Sequence, residues 1–395
     1  MLLSVPTNWQ QDLIPRLNKS KVSDIYGKLD KDVVGGGRPW FGVPFVSRKT
    51  VSMQVALAHK NNIKFNYLLN SVCLGNIEYT ASGQKAIRKF LDWLSTIGVD
   101  SVTVAVPYLL GVIKKCYPNL TVRISLCADV SNPLQARYWE DLGADEITLS
   151  PWLVNRNFDI LNRIRQSVKC GLQIYANTSC IAACPFHFSH NSSANHASRE
   201  NDANMHIFLD YYKSHCLYAK IKEPWRILSS PWVRPEDLHY YRELGINKIK
   251  LADRSTKTDI LLNYVEAYTN ERYSGNLMNL LAGNPQYKLA SIRSGLWLKL
   301  ALGFNPRKTK PLLLLKYLAL SKKETKEYLD NNKLDGFLDF FVQGKCKQFD
   351  CYTCGYCQEF AKKALIIPED YRLNMKNAAE MLFEDFHSGR LFIKK

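Results

Sequence analysis

The sequence predicts an α/β protein: a (β/α)8 TIM-type barrel followed by a mainly helical region that carries a cysteine-rich metal knot. Three observations point there. From about residue 20 to 255, short apolar and β-branched runs alternate with helical stretches, as the βα units of a parallel sheet do. After residue 255 the pattern turns helical. Seven of the eleven cysteines fall into two groups.

The strands are read at Ser23–Tyr26, Lys64–Leu69, Ser101–Val106, Thr121–Cys127, Glu146–Leu149, Leu172–Asn177, Arg226–Leu228 and Lys248–Leu251. Eight strands suit a closed barrel, with an open doubly wound sheet as the alternative. Among the helices, Gly83–Ile97 repeats apolar residues at Ile87, Phe90, Leu91 and Leu94. Pro133–Leu142 is another. Pro235-Glu236-Asp237-Leu238 opens a third, with proline early and acids in the first turn. These units make residues 1–256 a barrel and 257–395 a second region. In the second region, helices are expected at Thr258–Tyr268, Tyr287–Leu302, Ser321–Leu329, 358–364 and 368–385. The third of these opens with the capping box Ser321-x-x-Glu324. Segment 178–224 is long and rich in Asn, Ser, His and Cys. It follows a strand's C-terminal end, the face where barrels place function. Its stretch 185–205 has little periodicity and reads as an elaborated loop.

Composition narrows the function. With 46% hydrophobic and 23% charged residues, the chain is ordinary globular material and not disordered. No apolar run approaches the ~20 residues of a membrane span. The opening MLLSVPTNWQQDLIPRL lacks the features of a secretory signal, so a cytoplasmic protein is expected. The net charge of +17 attracts phosphates and acidic groups, making RNA or an acidic carrier or peptide the candidate partners.

Without an export signal, grouped cysteines point to metal rather than disulfides. The run Cys346-x4-Cys351-x2-Cys354-x2-Cys357 aims four thiolates at one centre. Its first three cysteines have the spacing of plant-type ferredoxins. An iron–sulfur cluster is the first reading, and structural zinc the alternative. The second group is Cys180, Cys184 and Cys216, with Cys73 as a fourth ligand or an open position for substrate. Cys116, Cys127 and Cys170 read as small core residues. His187, His190 and His196 read as polar loop residues. Gly35-Gly36-Gly37-Arg38 reads as a flexible loop at the barrel mouth. Strand-end position nominates Asp24, Asn70, Asp129, Ser150, Asn177, Ser230, Asp253 and Arg254 as pocket residues. Of these, Asn70, Asp129 and Arg254 are the catalytic candidates, and Arg254 could clamp a carboxylate or phosphate. No Ser-His-Asp order, Gly-x-Ser-x-Gly elbow, His-Glu-x-x-His helix or Walker loop is present.

Several blocks together resemble the peptidase U32 family, over about residues 20–256. They are Asp24-Ile25-Tyr26-Gly27, Phe65-Asn66-Tyr67-Leu68-Leu69-Asn70, the Cys180/Cys184 loop, Ser230-Pro231-Trp232-Val233-Arg234-Pro235-Glu236-Asp237-Leu238, and Lys248-Ile249-Lys250-Leu251-Ala252-Asp253-Arg254. The resemblance implies a barrel with an oxygen-sensitive 4Fe–4S cluster near Cys180. It also implies oxygen-independent hydroxylation of RNA bases or ubiquinone precursors, with prephenate as oxygen donor. The chain departs from the family in its cysteine spacing, and its C-terminal knot is absent from short members. The expected function is an iron–sulfur hydroxylase with one or two clusters, acting on an RNA base or a small aromatic or peptide substrate. An electron donor or partner subunit would go with it. The alternatives are a peptidase, as the family name says, and a non-catalytic metalloprotein that binds RNA or a partner.

Overall fold

The computed structural model describes residues 1–200, 210–282, 310, 313, 326–346 and 349–392. Eight strands close a barrel in chain order: β1 (Leu2–Pro6), β2 (Val22–Gly27), β3 (Lys64–Leu69), β4 (Ser101–Val104), β5 (Thr121–Ile124), β6 (Glu146–Thr148), β7 (Gly171–Tyr175) and β8 (Lys248–Lys250). Every neighbouring pair is parallel, including β1 with β8. The expected barrel is therefore present, and the open sheet is not.

One strand differs from expectation. Arg226–Leu228 lies within a helix, Trp225–Ser229, and the missing strand is β1. Leu3 and Val5 of β1 are fully buried, yet the segment is short, ends in Pro6 and has no helical partner to reveal it. Seven of the eight predicted strands are real.

The outer layer holds α1 (Arg48–Lys60), α2 (Ala81–Thr96), α3 (Pro107–Cys116), α4 (Pro133–Asp141), α5 (Pro151–Val154) and α6 (Phe158–Ser167). Side-chain caps open four of them: Ser47 on α1, Thr80 on α2, Asn132 on α4 and Asn157 on α6. The β7–β8 connection carries α7 (His187–His196), α8 (Tyr211–Lys222), α9 (Trp225–Ser229) and α10 (Leu238–Glu243). Segment 185–205, read as a loop, thus contains a helix. α7 has no apolar stripe for the sequence to show.

α11 (Thr258–Asn270) follows β8. Beyond it come β9 (Tyr328–Leu329), α12 (Asp339–Val342), α13 (Cys351–Cys354), α14 (Tyr356–Ala364), β10 (Leu365–Ile366) and α15 (Glu369–His387). The helix expected over Ser321–Leu329 is corrected at its end, where Tyr328–Leu329 pairs antiparallel with Leu365–Ile366. Its capping box, and the helix expected over Tyr287–Leu302, lie outside the described residues. Leu334, Phe337, Phe341 and Ala364 join the same hydrophobic cluster as the barrel strands and helices. No described helix is long and apolar enough to cross a membrane.

Candidate active site at the barrel mouth

The barrel interior is polar in layers. At the floor, Asp24 is fully buried and accepts from Arg123 at 2.6 Å, with Lys248 at 2.8 Å. Glu146 completes the set, 3.0 Å from Lys248 and 3.4 Å from Arg123. Burial alone would raise the Asp24 carboxyl, but the two cations override it and hold it well below the usual carboxylate range. Asp24 is therefore a floor residue and not the strand-end pocket group the sequence nominated.

One layer up, Lys250 is buried with its ammonium 4.1 Å above the Tyr26 ring. Beyond the end of β8, Arg254 is also buried. No hydrogen bond or ion pair among the described residues holds either side chain. Burial pulls the Lys250 ammonium down to about 8, with Arg123 adding repulsion. Burial, then Arg38, acts in the same direction on Arg254. Arg38 stands 3.7 Å from Asp253 and lies within electrostatic reach of Tyr175 and Cys180. Lys28 is buried too, but Asp32 answers it at 2.9 Å.

The loop over this site is packed and not flexible as expected. Asp32 accepts from the backbone of Val34 and Gly35, and Ser198 from Gly36. Gly35 adopts φ +82°, where a side chain would meet the Asn195 carbonyl at 2.8 Å. Asn70 sits beside the loop, within reach of Gly37, Ser125 and Cys127. Asp129 is committed elsewhere: Ser150 donates at 2.5 Å and Trp152 at 2.7 Å. His187 Nε2 lies 3.1 Å from the same carboxylate. His190 faces Asp210, and His196 faces Arg199. Asn177 ties the backbone of Ala252 and Leu280, and Ser230 donates to the Arg226 carbonyl. Both are structural.

The thiols of Cys180, Cys184 and Cys216 lie within electrostatic reach of one another. Cys180 and Cys184 follow β7, and α8 supplies Cys216. Cys180 keeps exposed surface although protein surrounds it, as a group lining a recess does. Burial and the charge of Cys216 push its thiol up. Burial, with Cys180 and Cys216 close by, pushes Cys184 up to about 11. Two cations answer them, Lys220 and Arg38; Lys220 also donates to the Ser179 carbonyl. Three thiols between two cations suit an anionic iron–sulfur group. The Cys73 sulfur accepts from the Gly75 N–H, and its carbonyl accepts from Arg199. Of the cysteines read as core, Cys127 is buried and Cys170 half-buried, but Cys116 is exposed on α3. Among the described residues, no three His, Cys, Asp or Glu converge as ligands of a single ion.

A closed parallel barrel with charged groups at the C-terminal ends of its strands is the architecture of an enzyme. The family model for peptidase family U32 matches residues 45–272. An uncharacterized protease of Methanocaldococcus jannaschii is 32% identical over 334 residues, covering 85% of this chain and 86% of its own length. The solved structure of the U32 peptidase Mk0906 is 25% identical, covers 64% of this chain and 92% of its own, and has a TM-score of 0.48. The chain belongs to the peptidase U32 family.

Sequence reading placed Arg38 in the loop at the barrel mouth but missed Lys250 and Lys220 as site residues. The alternation Lys248-Ile249-Lys250 carried the first, since alternate residues of a barrel strand face inward.

Proposed function

We propose that this protein is an iron–sulfur enzyme that transfers an oxygen atom, without molecular oxygen, from an organic donor to an RNA base or a small aromatic or peptide substrate. The observation that supports the reading is that Cys180, Cys184 and Cys216 lie within electrostatic reach of one another, with Arg38 beside Cys180 and in turn beside Arg254. An iron–sulfur group on these thiols would supply one-electron chemistry. Lys250 and Arg254, buried cations that no carboxylate among the described residues pairs with at ion-pair distance, would receive an acidic group of donor or substrate. Asn70 offers its amide to an edge of the bound molecule, and Arg38 holds negative charge beside Tyr175. Asp129 positions Trp152 and His187 as one wall and is not free to act as a base. The +17 charge favours a polyanionic substrate such as RNA.

The family name and the named relative support peptide hydrolysis as a second reading. The geometry of the Asp129–His187 pair argues against a serine triad there: Ser150 donates to Asp129 and not to His187.

The test incubates anaerobically prepared, iron-loaded protein with tRNA, ribosomal RNA fragments and aromatic acids, and reads product mass. A gain of one oxygen atom is expected on one of them. Absence of any gain, with peptide cleavage by iron-stripped protein, would replace this reading with the second.

A further inference from the structure

The four C-terminal cysteines lie outside the segment matched by the family model, and the barrel chemistry does not need them. Cys351 and Cys354 begin and end α13, and Gly355 then takes φ +69°. That left-handed turn stops the helix and starts α14, whose second residue is Cys357. Cys346, Cys351, Cys354 and Cys357 all line one cavity of about 60 Å3.

The other wall of this cavity comes from the barrel. It includes Trp152, Arg156 and Ala182. Arg156 donates to the carbonyls of Leu228 and Trp232. Its guanidinium lies 4.3 Å from the Trp232 ring centre, 5.0 Å from Phe337 and 5.2 Å from Phe341. Its Nε is buried without a hydrogen-bond partner. Among the described residues, no carboxylate stands within ion-pair distance of it. Asp350 also lines the cavity, but its carboxylate is exposed and takes the Thr353 hydroxyl. A buried cation without a counter-charge costs several kcal/mol. Cys357, Asp237 and Cys346 all act on Arg156 electrostatically. Asp237 is already paired with Arg234, and the cysteines would supply the missing charge as thiolates bound to metal.

The Cys346-x4-Cys351-x2-Cys354 spacing is that of the cluster-binding cysteines of plant-type ferredoxins, and a cuboidal cluster would occupy a cavity that four cysteines line.

We propose that Cys346, Cys351, Cys354 and Cys357 bind a 4Fe–4S cluster as a second metal centre, with Arg156 as its buried counter-cation. Ala182 lies between Cys180 and Cys184 in the chain and lines the same cavity, so the two sets of thiols flank one short loop. The inference stands whether or not the barrel mouth carries a cluster of its own.

The experiment measures iron, acid-labile sulfide and zinc per chain after anaerobic reconstitution. It compares wild type with Cys354→Ala, Cys346→Ser, Cys180→Ala and Arg156→Met, and uses circular dichroism to confirm folding. Cys354 and Cys346 are only half-buried, so their loss removes little packing. The proposal expects Cys354→Ala and Cys346→Ser each to lose about four irons and four sulfides. Cys180→Ala should keep that share. Arg156→Met should shift one reduction potential downward, because removing a positive charge disfavours added electrons, while Arg156→Lys restores most of it. Iron unchanged in both C-terminal variants would overturn the cluster, as would one zinc lost in its place. A potential unmoved by Arg156→Met would overturn the role of that arginine.

Discussion

The floor and the mouth of the barrel differ in how they treat buried charge. At the floor, Arg123 and Lys248 face Asp24 and Glu146, two cations against two carboxylates. At the mouth, Lys250 and Arg254 are buried as well, and among the described residues no carboxylate stands within ion-pair distance of either. Asp24 and Asp253 act on them only at longer range. Balanced buried charge is structural, because removing one member strands the other. Unbalanced buried charge lowers stability and persists where a ligand supplies the missing sign. The Cys180 set follows β7, at the mouth and not the floor, so the proposed metal chemistry and the proposed anion site fall on the same face.

Breaking the floor gives the largest expected effect. Asp24→Asn leaves Arg123 and Lys248 short of a carboxylate and should cost about 3–5 kcal/mol in urea unfolding. A loss under about 1 kcal/mol would mean the floor is not the anchor. The pH dependence follows the same group. Asp24 has a folded pKa below its unfolded value of about 4. Its stabilisation is complete above that value and is lost progressively as the pH falls below it.

The mouth should respond in the opposite way. Lys250→Met or Arg254→Met removes an unanswered cation, so unfolding stability should hold or rise by about 1 kcal/mol. Affinity for inorganic phosphate or malonate, read by calorimetry, should fall by about 1.5–3 kcal/mol, roughly ten- to a hundredfold. A stability loss like that of Asp24→Asn would contradict the contrast between the two layers.

The Lys250 ammonium, held at about 8, sharpens the contrast with pH alone. Its folded value lies below the unfolded one of about 10.4. The cost of burying it is therefore present below about 8 and disappears as the pH rises toward 10.4. Anion affinity should weaken over the same rise, and Lys250→Arg should keep it at high pH. The smallest effect belongs to the exposed Cys116. Cys116→Ser should change stability by less than about 0.5 kcal/mol and leave iron content unchanged.

The barrel was legible because its strands are short, β-branched and separated by amphipathic helices such as α2. β1 was not, since five residues ending in proline carry little periodicity. Arg226–Leu228 looked like a strand because three residues cannot distinguish the two periods, and burial of Ile227 and Leu228 serves a helix equally well. The cysteine groups were legible from spacing, as was Arg254 from its place after β8. What the sequence could not display were charges whose meaning depends on what is missing around them. Lys250 and Arg156 are ordinary residues in a basic chain until burial removes their counter-ions. Asp129 shows the reverse case: a strand-end carboxylate looks catalytic until Ser150 and Trp152 are found bound to it.

The most direct test of the account is the iron and sulfide content of Cys180→Ala against wild type, both folded and reconstituted without oxygen. The account predicts a loss of about four irons and four sulfides per chain, with the C-terminal share retained. Equal content in the two proteins would contradict a cluster at the barrel mouth and, with it, the proposed chemistry.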